Sequence, residues 1–181
     1  MAIFKNRFRS RGDVLALFAA VSLPIFAWAI ALLVGYASQF ILRLSLWDTV
    51  GVAAYVLAYA LLETLIVFTI TMVILLLVPA RWHSNKTIPL TAVYFLLTTI
   101  LLIYLNFTQE VAIVRGNLTK TTIALTIYAL LMIAATVVIR RSDRPARLIA
   151  SVLDRLVPLA LLYSFFALVG VVIVAVRNLT A

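Results

Sequence analysis

The chain has 181 residues, of which 66% are hydrophobic and 12% charged, and it carries a formal charge of +9 with no cysteine. Soluble domains are about 45–50% apolar and about 25% charged, so a water-soluble globule is excluded. The missing thiols exclude disulfides, thiolate metal ligands, iron–sulfur clusters and cysteine nucleophiles.

Residues 1–13 form a basic head in which Lys5, Arg7, Arg9 and Arg11 stand among Ile3, Phe4 and Phe8. This mixture suits an interfacial piece touching anionic headgroups. The first apolar run, 14–41, is far longer than the roughly 7–15 residues of a signal-peptide core. It is therefore expected to be a true span, although Gly35-Tyr36-Ala37 has the small-x-small pattern of a cleavage site. Pro24 removes one intrahelical bond and is expected to kink it. Ala27, Ala31 and Gly35 recur every four residues. Small residues let membrane helices approach closely, so this stripe is expected to pack, in the first instance against a neighbouring helix of the same chain.

The second run, 49–78, contains Glu63, the only charged residue deep inside any span. An ionisable group at bilayer depth marks a functional site by default and is expected to face protein or water. No Lys, Arg or His lies in a span to pair with it, so it is expected to act as a neutral hydrogen-bond donor. Tyr59 and Tyr55 precede it by four and eight residues, on roughly the same helical face. The third run, 88–108, brings Thr98 and Thr99 to mid-span; the fourth, 121–139, brings Tyr128; the fifth, 156–176, brings Ser164. With Glu63, Tyr59 and Tyr55 these residues are expected to form a polar layer. Two roles remain open for it: a structural interhelical hydrogen bond, or a proton, cation or small-ligand step.

Each run can cross a hydrocarbon core of about 30 Å, which takes roughly 20 helical residues. Barrel strands would alternate polar and apolar residues, and runs such as Leu75-Leu76-Leu77 do not. The expected fold is all-α: one domain, 1–181, built as a bundle of five transmembrane helices. Between the fourth and fifth spans, Leu148, Ile149, Val152, Leu153 and Leu156 fall on one helical face of residues 144–156, with Asp143 as a cap and Pro145 in the first turn. This segment is expected to lie on the membrane surface as a short amphipathic helix, with Pro158 bending the chain into the last span. Arg140, Arg141, Arg144, Arg147 and Arg155 in and around it are expected to meet anionic lipid headgroups.

The basic residues also give an orientation. The head, Arg81 and Lys86, and those five arginines fall on one side; Arg43, Arg115, Lys120 and Arg177 fall on the other. The positive-inside rule places the richer side in the cytoplasm. The N-terminus is then inside and the C-terminus outside. Splitting the charge over short loops beside lipid spans argues against nucleic acid as a partner.

His83, beside Trp82, is the only histidine. It cannot by itself build a bis-histidine haem or a histidine-rich metal site, and it reads as part of an aromatic-and-cation belt. Asn85, Asn106, Asn117 and Asn178 fit the glycosylation pattern by chance in a Thr-rich chain. No phosphate loop, dinucleotide fingerprint, nucleophile elbow or H-E-x-x-H occurs. No two carboxylates share a depth to hold a metal. No metal, cofactor or catalytic residue is expected. The leading expectation is a non-catalytic accessory subunit of a larger membrane complex, with other membrane subunits and phospholipids, anionic ones foremost, as partners. Its expected setting is the plasma (inner) membrane of a prokaryote. The alternatives are a small transporter or ligand-binding protein working at the Glu63 layer, and, behind it, a membrane enzyme acting on lipid.

Overall fold

A computed structural model describes residues 11–77, 86–115 and 118–180, without the side chains of 41, 107–115, 118 and 180. The basic head, Arg81, Trp82, His83, Asn85 and Asn117 lie outside the described residues. Five helices account for nearly all the rest: α1 (Arg11–Arg43), α2 (Leu46–Leu77), α3 (Thr87–Arg115), α4 (Leu118–Arg141) and α5 (Asp143–Thr180). All five are long and apolar enough to cross a membrane. The architecture is that of an integral membrane protein, as the run lengths predict. Helices suit this composition because they satisfy their own backbone where lipid cannot.

α1 is the hub. It packs on α2, α3 and α5, while α2 and α5 also lie against each other and α4 rests mainly on α3. Phe26 and Ala29 of α1 meet Ala60 and Leu61 of α2 and Ala167 of α5 in one cluster, with Tyr163 stacked on Phe26 at 5.9 Å between ring centroids. A second cluster joins Ala16 and Ala20 to Ala92 of α3 and Leu153 of α5. A third joins Leu17 to Leu75, with Phe68, Met72 and Leu76 around them. Alanines recur at these contacts because dispersion between closely approached backbones, rather than expulsion of water, holds helices together in lipid.

Small residues do pack α1, but not the expected ones. Ala27, Ala31 and Gly35 all face outward, and a Cβ at Gly35 would meet nothing within 4 Å. The close contacts are made by Ala16, Ala20 and Ala29 instead. Beyond Ile30, α1 has no buried residue among those described. Leu32, Leu33, Ala37 and Phe40 are only partly covered there, and the stripe lies on the uncovered face.

The segment 144–156 also differs from expectation. It is not a separate element: α5 starts at Asp143 and runs unbroken through Pro158 to Thr180, about 57 Å at 1.5 Å per residue. Ala146, Leu153, Ala160 and Ala167 are buried and recur every seven residues. Ile149, Leu156, Tyr163 and Gly170 each follow three residues later and are buried or half-buried. A 3.5-residue repeat of this kind keeps one seam against a neighbouring helix along the whole length. The first half of α5 therefore packs in the same register as the span. Of the face expected to meet the membrane surface, Ile149 and Leu153 pack inward, whereas Leu148 and Val152 remain exposed.

Candidate functional site

Glu63 sits near the middle of α2 and is exposed. Tyr59, Ile66 and Ile70 share its face and are exposed as well. The packed faces of α2, which carry Ala60, Leu61 and Thr64, point elsewhere. Among the described residues no group hydrogen-bonds or ion-pairs with the Glu63 carboxyl.

The other residues expected in its layer are distributed over separate places. Tyr55 donates its hydroxyl to Asn178 Oδ1 on α5 at 2.7 Å. Thr98 and Tyr128 do meet, at 2.9 Å between α3 and α4. Ser164 donates to the Ala160 carbonyl within α5, and Thr99 to the Phe95 carbonyl within α3. The reason is general to this chain: Thr64, Thr69, Thr71, Thr91 and Thr126 likewise return their hydroxyls to the carbonyl four residues back, and Thr98 and Thr136 do so as well as bonding across the α3–α4 seam. A mid-span hydroxyl satisfied by its own helix needs no partner across the bundle. Ser22 is the exception. It is fully buried on α1, and its Oγ has no hydrogen-bond partner among the described residues.

Polar contacts that the sequence reading missed tie the bundle at both ends. At one end Ser45 caps α2: its Oγ accepts from the Asp48 backbone N–H at 3.1 Å and donates to Asp48 Oδ2 at 2.7 Å. The Ser45 hydroxyl is thus the N-cap acceptor, and the Asp48 carboxylate holds its proton. The other Asp48 oxygen pairs with Arg177 of α5, whose guanidinium also donates to the Trp47 carbonyl at 3.2 Å. Gly51 makes room for that guanidinium, which a Cβ there would strike. The signal was available, since an acid and an arginine flank spans at the same end. Along the α3–α4 seam, Tyr94 and Thr136 bond at 2.5 Å, one helical turn and more beyond the Thr98–Tyr128 pair.

At the opposite end, Lys86 bridges to Asp143 and donates to the Arg140 carbonyl at 3.0 Å, pinning the start of α3 to the corner between α4 and α5. Ser142 alone separates those two helices. Beside this corner a groove of about 440 Å³ opens between α2, α3 and α4, with Lys86 and Arg140 at its rim. Of the five arginines expected at lipid headgroups, Arg140 lines this groove; Arg141, Arg144, Arg147 and Arg155 do not, and all are exposed. No group of three or more His, Asp or Glu able to hold a metal is present among the described residues.

No protein-family model, curated protein or solved structure matches this chain. Its function has to be argued from the geometry.

Proposed function

We propose that the chain is a non-catalytic accessory subunit of a larger membrane assembly, oriented with its N-terminus in the cytoplasm, and that its α2 face at Glu63 is covered by another subunit. The observation that carries this reading is the outward Glu63 carboxyl near the middle of α2, which has no partner among the described residues. A charged side chain at the bilayer centre costs about 2.5–3.5 kcal/mol on insertion scales. Protonation removes the charge but leaves a donor and acceptors facing hydrocarbon, which cannot satisfy them. A hydrogen-bonding group from another chain removes that penalty. The outward stripe of Ala27, Ala31 and Gly35 supports the same reading, because it gives α1 a surface on which a further helix can approach closely.

A transporter working at the Glu63 layer has less support. The polar residues that would line a common site are held in separate places by their own bonds.

The test compares Glu63→Leu with Glu63→Gln in native membranes. Glutamine keeps a donor and an acceptor and is expected to preserve co-purification with partners at fixed stoichiometry. Leucine is expected to abolish it while leaving the isolated chain at least as stable in detergent, since no internal bond is lost. A chain that is monomeric in its own membrane, or a Leu variant that still co-purifies, overturns the reading. Cysteines introduced at Ser142 and Thr180 check the orientation: labelling from opposite sides is expected, with Ser142 reached from the cytoplasm.

A further inference from the structure

The groove between α2, α3 and α4 has a charged rim and a mainly apolar wall. Its rim carries Lys86, Thr87 and Arg140; its wall is built mainly by Ile74, Leu75, Leu90 and Phe95, and the hydroxyls of Thr71, Thr91 and Thr98 along that wall are each returned to a carbonyl of their own helix. The two cations are not equivalent. Lys86 is neutralised by Asp143 and serves the corner itself. The Arg140 guanidinium is exposed and makes no hydrogen bond or ion pair among the described residues; only its carbonyl is used. The N-terminus of the 29-residue α3 opens on the same rim and adds the positive end of its dipole.

From this arrangement we infer that the groove binds one anionic phospholipid, with its phosphate on Arg140 and one acyl chain against Ile74, Leu75, Leu90 and Phe95. A guanidinium offers a paired set of donors that matches two phosphate oxygens. A free phosphate has no use for an apolar wall continuing below the rim, whereas an amphiphile fills both parts. The volume of about 440 Å³ suits a headgroup and the upper part of one chain rather than a whole lipid, so the remainder of the lipid stays in the bilayer. The site lies about three helical turns along α2 from Glu63; Ile74 continues the Glu63 face, whereas Thr71 and Leu75 are turned away from it.

Native mass spectrometry of the full chain in mild detergent reads the occupancy directly. With phosphatidylglycerol added, one retained lipid per chain is expected, and phosphatidylcholine, which presents the same phosphate but brings a choline cation against Arg140 and the N-terminus of α3, is expected to bind about tenfold more weakly. Arg140→Gln is expected to bring phosphatidylglycerol down by about the same factor, and Arg141→Gln by no more than about twofold. Leu90→Trp fills the apolar part and is expected to reduce both lipids alike. Inorganic phosphate at millimolar concentration is expected not to displace the lipid. Equal losses for Arg140→Gln and Arg141→Gln would show a diffuse basic belt and overturn the site. Displacement by inorganic phosphate would show a free-anion site and overturn it equally.

Discussion

Gly170 gives the sharpest test of how the helices are packed. A Cβ built there lies 2.9 Å from the carbonyl oxygen of Ala54 and 3.5 Å from its Cα. Ordinary contact begins near 3.4 Å, so α2 and α5 must separate by at least about 0.5 Å to admit even a methyl group in a close-packed seam. The obstructing atom belongs to the backbone and has no rotamer to change. Overpacking of this kind costs about 1–3 kcal/mol, and the higher helix propensity of alanine returns about 1 kcal/mol. Gly170→Ala is therefore expected to be mildly destabilising, and Gly170→Leu to reach at least about 3 kcal/mol. Gly35→Leu is the control: nothing lies within 4 Å of its Cβ position, and leucine is the better helix former, so the isolated chain should be unchanged or slightly more stable. The assay is unfolding of the purified chain in mixed micelles of increasing SDS content, followed by tryptophan fluorescence and circular dichroism. Because the clash is with a carbonyl, Ala54→Gly should not rescue Gly170→Leu. A Gly170→Leu chain that unfolds at the wild-type SDS fraction refutes the seam, and rescue by Ala54→Gly refutes the assignment of the clash.

Ser22→Ala removes a buried hydroxyl that has no partner among the described residues and should stabilise the chain by about 1 kcal/mol, given the cost of about 1–3 kcal/mol for an unsatisfied buried polar group; a loss of stability in the same SDS titration would point to an unseen partner. Asp48→Asn breaks the Arg177 ion pair and weakens the α2 cap, so amides near the start of α2 and the end of α5 should exchange faster with deuterium while those around Phe26 keep their protection. Equal protection at all sites would show that the clamp contributes nothing measurable.

Run length alone made the five helices legible, because crossing hydrocarbon demands about 20 apolar residues in succession. It could not say which side of each helix faces in. In a soluble helix the apolar stripe marks the core; here both sides are apolar, and lipid is as good a neighbour for leucine as protein is. That is why Ala27, Ala31 and Gly35 read as a packing stripe while Ala16, Ala20 and Ala29 make the contacts. The one signal that could have found the α5 seam was the recurrence of small residues at multiples of seven, at Ala146, Ala160 and Ala167. The polar layer failed for a different reason. It assumed that mid-span hydroxyls look across the bundle, whereas Thr99 and Ser164 are content with carbonyls of their own turns. Glu63 falls near the middle of α2, but the expectation that the chain itself would shelter it does not match its exposed position.

The central cluster joins the first, second and fifth helices. On the ribosome, α1 and α2 are complete well before the helix that finishes their core. About 100 further residues separate the end of α2 from the end of α5, which at about 5–20 residues per second amounts to roughly 5–20 s. Throughout that interval the alanine faces of Ala54 and Ala60, and the seat that Gly170 will occupy, stand open in the membrane. Any helix with a small-residue face can occupy that seat first, so the order of synthesis makes α5 compete for its own place.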